Sequence, residues 1–415
     1  MKISSIIGIG ALALLVCACS DSPEATGVEE EQPQVPETPI TYEFTAEQSR
    51  AAEASLPFME KFWLVAEDNM GSRENYIVSP LSADILLSMV ANTSTGALGE
   101  EIVAALGCTD KTVLNELASK YTVALPVIDD QITLGIYNSV WYRNRFQLNT
   151  TFGDKMEYYY NAEVAGHPFD NTLIDAVNGW CNEKTRGLIP QIIYGVPDEA
   201  VMLLADAIYL KGAWANPFNE ENTADAVFHG VKGESTVKMM SAIGPQHYCK
   251  GDNFQAVRME LGDGAIEAVF ILPDEGEDMG GFLSENVEAI RDARFRDGTV
   301  EFYLPRVKFV SENMDLNPML ASAGIPSVSG DDPSDVLLGC PVLNHFIYQR
   351  TSLEFDEKGA EGAAVTWDFP VGAAGPEVEA EPDPIPVVRC DRPFYVLVRV
   401  AETGAPLFAG RINNL

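Results

Sequence analysis

Glu357-Lys-Gly-Ala-Glu-Gly-Ala-Ala-Val-Thr366 has the composition of neither a helix nor an ordinary surface loop. It follows a strand-like run, Phe346 to Phe355, and opens a long segment rich in Ala, Gly, Val and Pro. Surface loops are usually built from Asn, Asp, Ser and Gly, whose side chains satisfy turns. This segment is instead small and nearly apolar, with no helical period. Loops longer than about 12–15 residues without structure of their own are usually functional or disordered. The composition suits a stretch that serves either as a solvated loop or as a strand inside a sheet.

Working outward, further runs stand in a fixed order. Asn75-Tyr-Ile-Val-Ser-Pro-Leu-Ser82 offers Ser79 or Ser82 as a helix cap and Pro80 for a first helical turn. Asn138-Ser-Val-Trp-Tyr142 follows, then Val177-Asn178 with Thr185-Arg-Gly-Leu-Ile189. Leu204-Ala-Asp-Ala-Ile-Tyr-Leu-Lys-Gly-Ala-Trp214 leads into Pro217-Phe218. Pro393-Phe-Tyr-Val-Leu-Val398 and Pro406-Leu-Phe-Ala-Gly-Arg411 close the chain.

Together these runs resemble the serpins, the serine-protease-inhibitor family, over nearly the whole chain after Phe44. The family's loop hinge is matched by Glu357, Gly359, Ala360, Glu361, Gly362, Ala363, Ala364 and Thr366. The resemblance implies an α+β fold with three β-sheets, about nine helices and an exposed reactive-centre loop over about 357–389. It also implies a single domain over residues 44–415. The implied activity is suicide inhibition rather than enzymatic turnover. A protease attacks the exposed bait and forms an acyl-enzyme, and the cut loop enters the central sheet and distorts the protease. The alternative is a non-inhibitory serpin acting as a cell-surface binding protein.

Strand geometry explains why such a hinge must be small. Alternate side chains face opposite sides, so Ala360, Gly362, Ala364 and Thr366 would face the interior. Overpacking there costs typically about 1–3 kcal/mol and an unpaired buried charge more. Slow insertion would let the protease escape. Asp368 and Pro370 also fall on inward positions, and Pro lacks the ladder donor. The family's usual spacing from the hinge glutamate implies a reactive bond at Ala373-Ala374, whereas its usual spacing back from Phe394 implies one nearer Pro382. An Ala there suits elastase-like serine proteases, with papain-like cysteine proteases second. The absence of Arg or Lys between Lys358 and Arg389 argues against trypsin-like targets.

Two positions depart from the family together. Asp206 stands where Asn is usual, and Gln349 where His is usual. In the family these meet in the "shutter" beneath the opening sheet, beside the serines matching Ser79 and Ser82. The expectation is a carboxylate–amide pair at Asp206 and Gln349, with burial raising the Asp206 pKa and making opening pH-sensitive. Lys211 and Trp214 match the "breach", where the loop first enters.

Composition bounds the partners. With a net charge of −35 over 415 residues, nucleic acid is excluded, because phosphate binding needs a basic footprint. Heparin-type activation is disfavoured as well, since the matching stretch has only Lys111 and Lys120. The five cysteines after Cys19 are odd in number and widely spaced, so no disulfide framework can be read. There is no metal motif, nucleophile elbow or phosphate loop, and no cofactor is expected.

At the N-terminus, Met1-Lys2, an apolar run from Ile6 to Val16 and Val16-Cys-Ala-Cys19 read as a secretory signal over residues 1–18. Its end resembles a bacterial lipobox with Cys19 as the lipidated residue. A plain signal peptide cleaved near Ala18 is the alternative. Residues 19–43 are acidic and Pro-rich, a disordered tether by composition. The expectation is a monomeric lipoprotein held to the outer membrane, facing the periplasm or the cell exterior.

Helices are predicted over roughly Thr45–Glu67, Ser82–Asn92, Leu98–Leu106, Lys111–Lys120, Phe152–Tyr160 and Leu173–Thr185. Thr45 with Gln48 reads as a capping box, and Pro57 as a bend. Strands are predicted from Ile132 onward, including Val201–Leu210, Glu301–Arg306, Phe346–Phe355 and the terminal hairpin.

Overall fold

The computed structural model describes residues 39–71, 74–312, 314–360 and 384–415. Helix α1 (Ala46–Met70) opens the body with the capping box read from the sequence: the Thr45 hydroxyl accepts from Gln48 N, and the Gln48 side chain accepts from Thr45 N. Its buried stripe includes Met59, Phe62, Trp63 and Ala66, spaced three and four apart as one face of a helix requires. Pro57 lies inside this unbroken helix. Strand β1 (Tyr76–Val78) leads into α2 (Pro80–Thr93), capped by Ser79 with Pro80 in the first turn. Nearly every side chain of α2 is buried, so it is a core helix with no wet face.

Helices α3 (Ala97–Ala105) and α4 (Lys111–Ser119) pack around α2. A π-helical turn, Lys120–Ala124, follows α4. Strands β2 (Ile132–Arg143) and β3 (Gln147–Leu148) precede α5 (Thr150–Tyr160), β4 (Glu163–His167) and α6 (Asn171–Lys184). Then come β5 (Met202–Ala213), β6 (Ala224–Gly230), β7 (Gly233–Lys250), β8 (Phe254–Leu261) and β9 (Ile266–Pro273). Helix α7 (Met279–Arg291), β10 (Arg296–Pro305), β11 (Val307–Val310), β12 (Met314–Asp315) and α8 (Asn317–Ser322) continue the chain. Three two-residue strands, β13 (Asp332–Pro333), β14 (Leu337–Leu338) and β15 (Val342–Leu343), precede β16 (His345–Phe355) and β17 (Gly359–Ala360). The chain closes with β18 (Val387–Arg389), β19 (Phe394–Val400) and β20 (Pro406–Ile412).

Most strands fall into two large sheets. The seven-stranded sheet runs β11-β16-β5-β2-β4, with β12 on β16 and β17 on β5. The nine-stranded sheet runs β1-β20-β19-β9-β8-β7-β10-β18, with β6 on β7. The expected count of three sheets is resolved by β7. Its eighteen residues pair with β6 and β10 along most of their length and with β8 at the far end, so one ladder joins two sheets. Eight α-helices lie among the described residues. Of these, α7 and α8 were not predicted from the sequence.

Strand β5 is buried on both faces. Leu204, Ile208 and Leu210 face the main core, while Leu203, Ala205 and Ala207 face a second cluster built with α6. That is why Leu204–Leu210 reads as a continuous apolar run rather than an alternation. Asp206 is the exception.

A buried ionic network ties α1 to the closing hairpin. Arg411 Nη1 lies 2.6 Å from Glu67 Oε1, and Tyr76 Oη donates to Glu67 Oε2 at 2.6 Å. Tyr395 Oη donates to Glu67 Oε1 at 3.1 Å, and Trp63 Nε1 donates to Tyr76 Oη at 3.0 Å. Truncating one partner of such a pair strands the other charge in the core, at about 3–5 kcal/mol. Glu67→Ala is therefore expected to lose about that much in urea unfolding; a loss near that of a surface substitution would show that Arg411 finds water instead.

Candidate functional site

The predicted hinge begins at the upper end of β5. Asp356 to Gly359 is a tight reversal, with Asp356 Oδ1 accepting from the backbone N–H of Lys358 (2.8 Å) and Gly359 (3.2 Å). Gly359 adopts φ +142°, and a Cβ there would run into the carbonyl oxygen of Gly212. Only glycine fits. The turn is bolted to the strand beyond it. Trp214 N donates to Lys358 O and Phe218 N to Glu357 O, both at 2.9 Å, and Trp214 Nε1 donates to Asp356 O at 2.9 Å. The Trp214 ring stacks on Phe355 with centroids 5.4 Å apart, and lies edge-on to Phe270.

Glu357 supplies the electrostatic half of this anchor. Its side chain is buried and accepts a forked pair of bonds from Arg306, 2.6–2.9 Å, and one from Thr223 Oγ1 at 2.6 Å. Burial pushes this carboxyl up, but the hydrogen bonds from Arg306 and Thr223 outweigh it and hold the group below its usual range.

After the reversal the chain runs back down. Gly359 pairs with Ala213 and Ala360 with Gly212, antiparallel to β5. Below them β5 and β16 pair with each other in parallel, from His345–Met202 to Ser352–Tyr209. Above Ser352 the pairing with β5 stops, while β16 keeps β11 on its other edge up to Phe355. The two central strands therefore diverge, and the hinge starts a new strand along β5 where they part.

The shutter residues meet differently from the expected pair. Gln349 is fully buried and its amide is consumed by Ser79: Ser79 N donates to Gln349 Oε1 and Gln349 Nε2 donates to Ser79 O, each at 2.9 Å. Gln349 makes no bond to Asp206, so the expected carboxylate–amide pair does not form. An amide bound at both ends to a helix-capping residue has nothing left for its neighbour in the sheet. Ser79 Oγ donates to Ser82 Oγ at 2.9 Å, and Ser82 N donates to Ser79 Oγ at 3.2 Å. Neither Asp206 oxygen completes a hydrogen bond with a described group. Burial pushes the Asp206 carboxyl up to about 7, with the Ser82 hydroxyl acting the other way.

Lys211 lies on β5 two residues above Tyr209, opposite Thr133 of β2. The remaining predicted residues, Glu361, Gly362, Ala363, Ala364, Thr366, Ala373, Ala374 and Cys19, lie outside the described residues. Arg306, Thr223, Asp356 and Asn138 were not singled out from the sequence. Arg306 ends the predicted strand Glu301–Arg306, and only its distance from Glu357 in space marks its role. Gly359→Ala is expected to cost about 1–3 kcal/mol through backbone strain and to speed hydrogen exchange at the Trp214 and Phe218 amides. Unchanged protection would mean the reversal is not what holds the hinge.

Comparison with known proteins agrees with this geometry. A family model described as Serpin (serine protease inhibitor) matches residues 61–415. Serpin-Z10 of Arabidopsis thaliana is 28% identical over 370 residues, covering 81% of this chain and 91% of the plant protein. Alpha-1-antiproteinase of Rattus norvegicus is 26% identical over 361 residues, covering 83% and 84%. Among solved structures, native tengpin, a thermophilic serpin, superposes with a TM-score of 0.76 at 24% identity, covering 91% and 97%. Thyroxine-binding globulin with thyroxine superposes with a TM-score of 0.74 at 21% identity, covering 88% and 98%. The family match over most of the chain, the two joined sheets and the reversed hinge lead to one statement: this chain belongs to the serpin family.

Proposed function

We propose that this serpin is a suicide-substrate inhibitor that traps a serine protease with a small apolar pocket, of the elastase type, as a covalent acyl complex. The observation that carries the reading is the antiparallel pairing of Gly359 and Ala360 with β5. The partners sum to a constant, 359 with 213 and 360 with 212. Continuing that register would set Thr366 opposite Asp206 and Pro370 opposite Met202, the first residue of β5. The cut loop would then line β5 from end to end, with Ala373 just beyond its lower edge. That span favours Ala373-Ala374 over a bond nearer Pro382.

Even-numbered positions of β5 face the core, so Ala360, Gly362, Ala364 and Thr366 would share that face. All four are small. Asp368 and Pro370 would face it too, near the strand's lower end, and they favour the second reading, a non-inhibitory binding protein. Inhibition of a papain-like cysteine protease is a further outcome of the same test. Polysaccharide activation finds little support at α4, because Lys111 Nζ donates to Ser94 O and Lys120 Nζ to Thr41 O, both at 2.7 Å. Secretion and lipidation at Cys19 belong to the same reading, with a monomer tethered to the outer membrane. Cys19→Ser should release it into the soluble fraction.

Incubation with elastase-type and papain-type proteases should yield an SDS-stable band with one of them. Mass spectrometry of the released C-terminal fragment should find it beginning at Ala374. Ala360→Arg should raise the number of inhibitor molecules consumed per protease by about tenfold or more, since a charge buried in the slot slows insertion. Cleavage with no stable band, and no gain in heat resistance afterwards, would sink inhibition in favour of a binding role.

A further inference from the structure

Asn138 on β2, Asp206 on β5 and Gln349 on β16 form one buried row, in register across three strands. Two of these strands, β5 and β16, must part to admit a further strand. Donors and acceptors in the row do not balance. Gln349 gives its amide wholly to Ser79. Asn138 gives its Nδ2 to the carbonyl of Tyr160 at 3.0 Å, and its Oδ1 has no donor. Both Asp206 oxygens lack one as well. Ser79 donates to Ser82, which leaves the Ser82 hydroxyl proton free to turn to one Asp206 oxygen. The other Asp206 oxygen and Asn138 Oδ1 remain, two acceptors on directly opposed antiparallel positions, where Cβ atoms stand about 4.5–5.5 Å apart. Two facing acceptors repel unless a proton joins them.

We propose that Asp206 is a proton-dependent positioning residue for loop insertion: neutral, it donates to Asn138 Oδ1 and ties β5 to β2 and α2, and loss of its proton loosens the row and favours an added strand. Among the described residues a carboxylate at this position has no ion-pair partner, since the nearby Arg350 is bound to the carbonyls of Ser311 and Gln191. Asn138, Gln349, Ser79 and Ser82 are uncharged, and the Cys181 thiol of α6, across the sheet, is held up to about 12 by burial. Asp84, on the far side of α2 from Ser82, interacts with Cys108, Tyr121 and Tyr160, and burial pushes it up to about 7 as well.

The sign follows from linkage. A carboxyl whose folded-state pKa lies above its unfolded value favours the closed sheet fully below about pH 4, and this contribution is lost as pH rises through about 7.

The proposal rests on loop insertion, not on which protease is trapped, and its test uses no protease. A synthetic peptide of sequence Ala360–Ala373 is added to the full chain, and its incorporation is followed by the rise in thermal midpoint. The rate should climb about tenfold or more between about pH 5.5 and pH 8.5. In Asp206→Asn, whose amide supplies a donor at every pH, it should stay flat, while Asp84→Asn should keep the wild-type profile. Should Asp206→Asn fail to fold, the infrared difference spectrum of Asp84→Asn between the same pH values should still show a protonated-carboxyl band near neutrality. A flat wild-type profile, an unchanged profile in Asp206→Asn, or no such band overturns the role of Asp206. Incorporation at no pH overturns insertion itself, and the proposal with it.

Discussion

The parallel pairing of β5 with β16 governs everything else in the molecule. It holds from Met202–His345 to Tyr209–Ser352 and then stops, although β5 continues to Ala213 and β16 to Phe355. Two strands that share a ladder below and diverge above make a wedge, and a wedge in a sheet exposes backbone donors and acceptors. Unpaired groups of that kind are costly when buried. Here the chain meets part of the demand with its own next residues, Gly359 and Ala360. The sheet is closed by the same segment that would extend it.

Holding that segment in place takes three kinds of force at one corner. Trp214 provides apolar stacking on Phe355 together with backbone and indole hydrogen bonds to Lys358 and Asp356. Arg306 neutralises Glu357, the residue on which the chain turns. Gly359 provides a backbone conformation closed to other residues. These bonds join positions 51 to 142 apart in the chain and tie the reversal to the residues just beyond β5 and β10. The shutter lower in the sheet is held differently, by hydrogen bonds from α2 rather than by charge pairs. Corner and shutter act on the same two strands, the corner above their contact and the shutter in its middle.

Much of this was legible in the chain itself. All six predicted helices are present, their ends within a few residues, and the caps read from the sequence at Thr45 and Ser79 are the ones that form. Helix α7 escaped notice because Met279-Gly-Gly opens it with two poor helix formers, and α8 because it is only six residues long. At the shutter, Asp206 and Gln349 were found as a linked departure from the family, but their expected mutual bond is absent. A side chain's partner is decided by which acceptor lies nearest in space, and Ser79, 270 positions away in the chain, takes both ends of the Gln349 amide.

The sequence by itself determined the family, through motifs that recur in order along the chain, and the six helices read from it, because these rest on local side-chain chemistry and periodicity. Only the tertiary structure decided that Arg306 clamps Glu357, that the hinge has already turned back along β5, and that Asp206 stands opposite Asn138 with no donor between them among the described residues. Those facts depend on register between strands far apart in the chain, and a shift of one residue would turn every such side chain to the opposite face.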